Sequence, residues 1–207
     1  MVSLRRKVVA QVRASNAIPE QTILDAAYEL LIAVGMRRMT MADIARHAQV
    51  SRATLYRRWS SVDDVVGALF RREWAAVADA AFAVAAESGR QRLVLAVVSV
   101  VRTLRVHPIQ RKIIDLDPEF LIPFLLHRRG WTTDHQLDLL ERSIADGVAD
   151  GSIRAGDVGA QARTVLLMAS SFTLTAPILV EPPLPDSPAL DALDAQLGEA
   201  IDRYLRP

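Results

Sequence analysis

Residues 40–59 read TMADIARHAQVSRATLYRRW, and their spacing predicts two short helices joined by a tight turn. Thr40 is a residue type favoured at a helix N-cap, and Asp43 three positions on completes a capping-box-like pair. Met41, Ile44, Ala45 and Ala48 recur at i, i+3, i+4 and i+7, which is one face of a helix. Gln49 and Val50 break that face. Ser51 then caps a second helix by accepting from the backbone N–H of Ala53 or Thr54. In it Leu55 and Trp59 stand one turn apart and anchor it on the first helix. Arg52, Ala53, Thr54, Tyr56 and Arg57 share the remaining faces. This is a helix-turn-helix whose second helix suits a DNA major groove.

Upstream, Pro19 fits the first turn of a helix and Glu20 its positive dipole end. Ile23, Ala26, Ala27, Leu30, Leu31 and Val34 make an apolar stripe that Gly35 terminates, giving a third helix to pack across the other two. Residues 1–17 read either as a basic arm, with Arg5, Arg6, Lys7 and Arg13 near phosphates or a minor groove, or as a plain tail.

The string T-x-x-D-I-A-x-x-A-x-V-S-x-x-T-L-Y-x-x-W that begins at Thr40 resembles the DNA-binding signature of the TetR family of transcriptional repressors. The resemblance covers about residues 19–70; further on it rests on length and helical layout. It implies that Arg52 and Ala53 face base edges while Thr54 and Tyr56 lie against backbone or bases. The residue types agree. Arginine binds guanine O6 and N7 bidentately, and an alanine or threonine methyl meets the thymine methyl. Tyr56 and the cap Thr40 suit phosphate oxygens, with Ser51 at the start of the helix and Arg57 or Arg58 adding a phosphate contact. Two positions depart from the family pattern. Gln49 stands where the turn usually has glycine, which calls for a left-handed backbone at a non-glycine residue. Val62 stands where a lysine commonly opens the fourth helix, removing one phosphate contact.

Charge is distributed accordingly. Net charge is only +1, but residues 1–60 hold ten Lys or Arg against four Asp or Glu, leaving fifteen against twenty for residues 61–207. A basic nucleic-acid-binding end thus joins a mildly acidic body. We therefore expect a DNA-binding domain over 1–60 and a helical ligand-binding and dimerisation domain over 61–207. The 207 residues suffice for a sizeable core, half of them are apolar, and no strand-like alternation occurs, so the fold class is all-α. Cysteine is absent, which excludes disulfides and cysteine chemistry. No apolar run follows the basic N-terminal residues, and the apolar segments 93–101 and 164–180 are too short or interrupted to span a bilayer. A cytoplasmic protein is expected.

In the body, Ser61 and Asp64 cap a fourth helix running from Val62 to about Glu87, which Gly89 interrupts. The next helix, about 91–106, is apolar on nearly all sides and should be central. His107-Pro108 ends it, and short helices follow over 109–116 and from Pro118 to before Gly130. Long helices over 132–150 and 158–175, joined by the loop 150–157, are placed to form a four-helix bundle with their symmetry mates. That loop resembles the connection before a late bundle helix in TetR-like proteins. A proline-rich loop over 177–188 precedes a last amphipathic helix over 190–206.

The candidate small-molecule site is drawn from apolar and aromatic residues of the body: Leu104, His107, Phe120, Phe124, His127, Trp131, Met168 and Phe172. So few charges favour an apolar or aromatic effector. His47, His107, His127 and His135 lack metal-ligand spacing, and no nucleophile elbow, Walker loop or dinucleotide fingerprint occurs. No cofactor, metal or enzymatic activity is expected. Asp115 and Asp117 read as caps or solvated charge. The reading is a homodimeric repressor on a palindromic operator, released by a small effector. Its rivals are a helical small-molecule-binding or interaction protein with a degenerate DNA-binding motif, and a ligand-independent DNA binder or activator.

Overall fold

The computed structural model describes residues 20–127 and 129–207, with the backbone but not the side chain of Trp131. Arg5, Arg6, Lys7, Arg13 and Pro19 lie outside the described residues. Among those described, every regular element is helical. The chain separates into two compact units, one ending at Leu69 and the other beginning at Phe70. The boundary falls past residue 60 because Val65, Val66, Ala68 and Leu69, at the start of the fourth helix, are buried with the first unit.

In the first unit, α1 (Glu20–Val34) packs on α2 (Met41–His47), and α2 on α3 (Arg52–Tyr56). The core takes Ile23, Leu24, Ala26, Ala27 and Leu31 from α1, and Met41, Ile44 and Ala45 from α2. Leu55 and Trp59 complete it, at 0% and 7% exposure. The stripe on α1 is offset from the expected one, for Leu24 is buried whereas Leu30 is half-buried and Val34, in the last turn, is exposed. Gly35 stops α1 with φ +79° and donates its N–H to the Leu31 carbonyl at 3.0 Å.

The second unit takes α4 (Val62–Phe82) from Phe70 onward, then α5 (Gly89–Val106), α6 (Pro108–Leu116) and a 3-10 turn at Pro118–Phe120. It continues through α7 (Ile122–Leu126), α8 (Trp131–Ala149), α9 (Val158–Leu174), a turn at Ala176–Leu179 and α10 (Leu190–Leu205). Leu93, Val97 and Val101 of α5, Leu137, Leu140 and Ile144 of α8, Ala162 and Val165 of α9, and Leu197, Ile201 and Leu205 of α10 form one core cluster.

Several expectations need correction. The fourth helix ends at Phe82, not near Glu87. Ser88 caps a new helix by accepting from the Gln91 N–H at 3.2 Å, and the Gln91 side chain accepts from the Glu87 N–H at 2.7 Å. Gly89 therefore opens α5 instead of interrupting α4. The helix α5 is not buried all round, since Leu95 and Val106 stand 45% and 48% exposed. The single helix expected after Pro118 is a 3-10 turn followed by the short α7, and a second 3-10 turn occupies the start of the proline-rich loop.

The loop after α8 ties three helices together. Asp150 accepts from the Gly89 N–H at 2.7 Å and from the Ser152 N–H at 2.9 Å, and Ser152 Oγ accepts from the Arg90 N–H at 3.0 Å. These bonds hold the Asp150 carboxyl below the usual carboxylate range, the Ser152 side chain contributing most. Arg154 donates its backbone N–H to the Leu205 carbonyl at 2.8 Å and its Nε to the Tyr204 carbonyl at 2.7 Å. Gly89 and Gly147 face each other so closely that a Cβ on Gly89 would lie 2.8 Å from the Gly147 Cα. A buried ion pair missed in the sequence joins α5 to α10: Arg105 and Asp194, 4% and 1% exposed, meet at 2.6 Å, and Arg102 adds a 2.9 Å contact to the same carboxylate.

Candidate nucleic-acid interface and small-molecule site

The helix-turn-helix is built from its two caps. Thr40 Oγ1 accepts from the Asp43 N–H at 3.1 Å and donates to the Asp43 carboxylate at 2.6 Å. Arg46 lies 2.6 Å from the other carboxylate oxygen. The Asp43 pKa is lowered, chiefly by the Thr40 hydroxyl; burial opposes this, and the charge of Arg46 adds to the lowering. At the second helix Ser51 Oγ accepts from the Thr54 N–H at 3.1 Å and meets Thr54 Oγ1 at 2.8 Å. Each hydroxyl thus fixes the direction of one short helix.

Between them the turn closes in a Schellman arrangement. The Val50 N–H donates to the Ala45 carbonyl at 2.9 Å, with Gln49 at φ +55°. The left-handed backbone required of this position is present at a glutamine, with the hydrogen bonds of the turn intact.

Leu55 at 0% and Trp59 at 7% exposure orient α3, and Tyr56 is 54% exposed, which excludes a core role for that ring. Thr40, Ser51, Arg52, Ala53 and Arg57 are exposed and Thr54 is half-buried. The residues expected at DNA therefore share the accessible sides of one capped helix and its approaches. Val62 opens α4 half-buried, where Ser61 Oγ accepts from the Asp64 N–H at 3.1 Å and the Ser60 hydroxyl and N–H donate to Asp64. The Ser60 bond is the largest cause of a lowered Asp64 pKa.

The small-molecule candidates divide. His107, Phe120 and Phe124 come together with two residues of α4 that residue type alone had not singled out, Phe70 and Trp74. Ring centroids lie 4.4 Å apart for Phe70–Trp74, 5.8 Å for Phe70–Phe120, 5.7 Å for Trp74–His107 and 5.6 Å for Phe120–Phe124. Glu73, on the same helix, sets a carboxylate oxygen 3.7 Å from His107 Nε2. Burial lowers the His107 pKa, the largest cause, and Glu73 opposes it. Leu104 is buried near the end of α5. Met168 and Phe172 pack instead on the core cluster of α5, α8, α9 and α10. His127 is exposed. The Trp131 side chain lies outside the described structure. The signal that marks the missed pair is the i, i+4 spacing of Phe70 and Trp74 with Glu73 beside them. Among the described residues no cluster of His, Asp and Glu is arranged to hold a metal ion.

A family model described as "Bacterial regulatory proteins, tetR family" matches residues 23–69. The chain is 31% identical over 186 residues to an HTH-type transcriptional regulator of Mycobacterium tuberculosis strain H37Rv, a match covering 88% of this chain and 92% of that protein. Among solved structures, the TetR family repressor AlkX from Dietzia sp. strain DQ12-45-1b, implicated in biodegradation of n-alkanes, aligns with a TM-score of 0.65 and 19% identity, covering 90% of this chain and 94% of that one. The SmeT–triclosan complex aligns with a TM-score of 0.56 and 19% identity, over 87% and 90% of the two chains. At such identities the likeness is one of fold.

Proposed function

Given that the chain belongs to the tetR family of bacterial regulatory proteins, and so is a DNA-binding transcriptional regulator and not an enzyme, we propose that it represses transcription as an effector-released homodimer. The observation that carries the reading is α3, capped by Ser51, anchored through Leu55 and Trp59, and offering Arg52, Ala53, Tyr56 and Arg57 to solvent. Arg52 would read guanine and Ala53 a thymine methyl, while Tyr56, Arg57 and the cap hydroxyls of Thr40 and Ser51 approach phosphates. The basic balance of residues 1–60 supports the same partner.

Dimerisation through α8 and α9 would give a twofold, isologous bundle. Exposed apolar side chains on one of these helices and just beyond it support this: Leu167 is 71%, Ile178 71% and Leu179 75% exposed. Two recognition helices would then meet a palindromic operator with half-site centres about 34–36 Å apart or a multiple of that. The effector would be apolar or aromatic, held at the cluster of Phe70, Trp74, His107, Phe120 and Phe124. That SmeT was solved with triclosan supports an aromatic effector for a chain of this fold. Release needs only that the effector bind one of two conformers more tightly. With DNA as its partner, the protein would work in the cytoplasm; no single helix among the described residues is long and apolar enough to cross a membrane.

Selection from a random duplex library, with recovered sites re-tested at two salt concentrations, tests the reading. An enriched inverted repeat bound more weakly at high salt is the expected result. Weak, unselective binding to every duplex would assign the helix-turn-helix a structural part only.

A further inference from the structure

Resting on the effector site proposed above, we infer that the aromatic cluster is selective for a neutral aromatic molecule bearing a hydroxyl group, a phenol, whose O–H donates to His107 Nδ1. Two observations converge. The first is the wall: the Phe70 ring centroid lies 4.4 Å from that of Trp74 and 5.8 Å from that of Phe120, and His107 joins them through Trp74 at 5.7 Å. Such a surface suits a flat apolar body. The second is an orphan atom. The His107 side chain is 12% exposed, and its Nδ1 is buried without a hydrogen-bond partner. Buried polar atoms are almost always partnered, so one left open at an aromatic surface marks a place for a ligand group.

The polarity of that atom follows from its neighbour. A neutral imidazole carries one N–H and one lone pair. Glu73 is an acceptor only, with one oxygen 3.7 Å from Nε2 and the other bonded by Arg72 at 2.8 Å. At 3.7 Å the two groups are not hydrogen-bonded, but the carboxylate charge favours the tautomer with its N–H on Nε2, which leaves Nδ1 as the acceptor. The ligand must therefore bring an O–H or N–H. Arg72 already pairs with Glu73 at 2.8 Å, so that carboxylate offers a cationic ligand no unpaired charge. A carboxylate ligand would set lone pairs against the lone pair of Nδ1. Desolvation disfavours the imidazolium that could rescue it.

The test uses the full-length protein and three probes sharing one ring system: 4-phenylphenol, its methyl ether, and biphenyl-4-carboxylate, titrated by calorimetry at pH 7.5. The expected result is that the phenol binds about tenfold more tightly than the ether, the scale of one satisfied buried hydrogen bond, and that the carboxylate is weakest. In His107→Phe, which keeps an aromatic ring and removes the acceptor, phenol affinity should fall to that of the ether. Circular dichroism of the variant checks its fold; the phenol-to-ether ratio of the unaltered protein decides the matter even where the variant fails to fold. Equal binding of phenol and ether, or a preference for the carboxylate, overturns the inference while leaving an apolar effector site in place. Binding of no probe overturns the inference and the effector reading at this cluster together.

Discussion

At Gln49 a side chain occupies a backbone conformation that glycine adopts freely, φ +55°. A left-handed non-glycine residue costs about 1–2 kcal/mol, partly offset by the larger entropy glycine loses on folding. Gln49→Gly should therefore raise stability by up to about 1 kcal/mol in denaturant melts, with little change in base preference. A fall in stability would show that the glutamine side chain makes a compensating contact. Gly147 presents the opposite case. A Cβ there would lie 2.5 Å from Ile153 Cδ1 and 2.7 Å from its Cγ1. Gly147→Ala should lower stability by about 1–3 kcal/mol, the usual range for forcing extra volume into a packed site. The strain at 49 was legible in the sequence because a glutamine stands where a turn needs glycine. The need for Gly147 was not, because a mid-helix glycine carries no mark of what crosses it.

For a single element, the question is which of its faces does what. If Arg52 reads a guanine, Arg52→Ala should cost about 1–3 kcal/mol at the preferred site and flatten the preference at that base pair. Tyr56→Phe should weaken binding to all sequences alike. Competition binding on a panel of single-base variants separates the two, and a sequence-dependent loss in Tyr56→Phe would move that residue among the base readers. The loop after α8 gives a pH prediction. Its Asp150 carboxyl has a lowered pKa in the folded protein, so the stability it adds is present above the ordinary carboxylate pKa and is lost as pH falls through the lowered value. Asp150→Ala should reduce the melting temperature at neutral pH, and the gap from the unaltered protein should close in acid. A gap that persists unchanged at pH 2 would show that the carboxylate charge is not what holds Gly89 and Ser152. Most helices were readable because their 3.6-residue apolar spacing and caps are local. The early end of α4 was missed because the cap at Ser88 competes with an alanine-rich run that by itself favours helix.

Across the whole molecule, the division into a basic end and an acidic body shows in charge alone, and the all-helical class in composition. The aromatic cluster was only partly legible. Its rings come from α4, from the α5–α6 junction and from the turn and helix after Asp117, so no sequence period links them. Choosing residues by type gathered His107, Phe120 and Phe124, which the fold brings into one aromatic cluster through Phe70 and Trp74. It also drew in Met168 and Phe172, which pack on a different cluster. The buried pair of Arg105 and Asp194 escaped for a related reason: charged residues spaced 89 apart read as solvated until the fold brings α5 and α10 together.

The caps of the helix-turn-helix have a consequence for genetics. Aspartate caps a helix about as well as threonine or serine, yet at Ser51, where it would accept from the Thr54 N–H and hydroxyl alike, it would set a negative charge where the proposed interface meets phosphate. Ser51→Asp should leave stability within about 1 kcal/mol of the unaltered protein and abolish operator binding, as judged by a mobility shift on the selected duplex. In a cell such an allele would yield normal protein levels with no regulation. Expressed beside the normal allele it would be dominant if subunits mix before they reach DNA, and recessive if they act alone. Dominance would thus report on assembly in vivo, with no need to purify either protein.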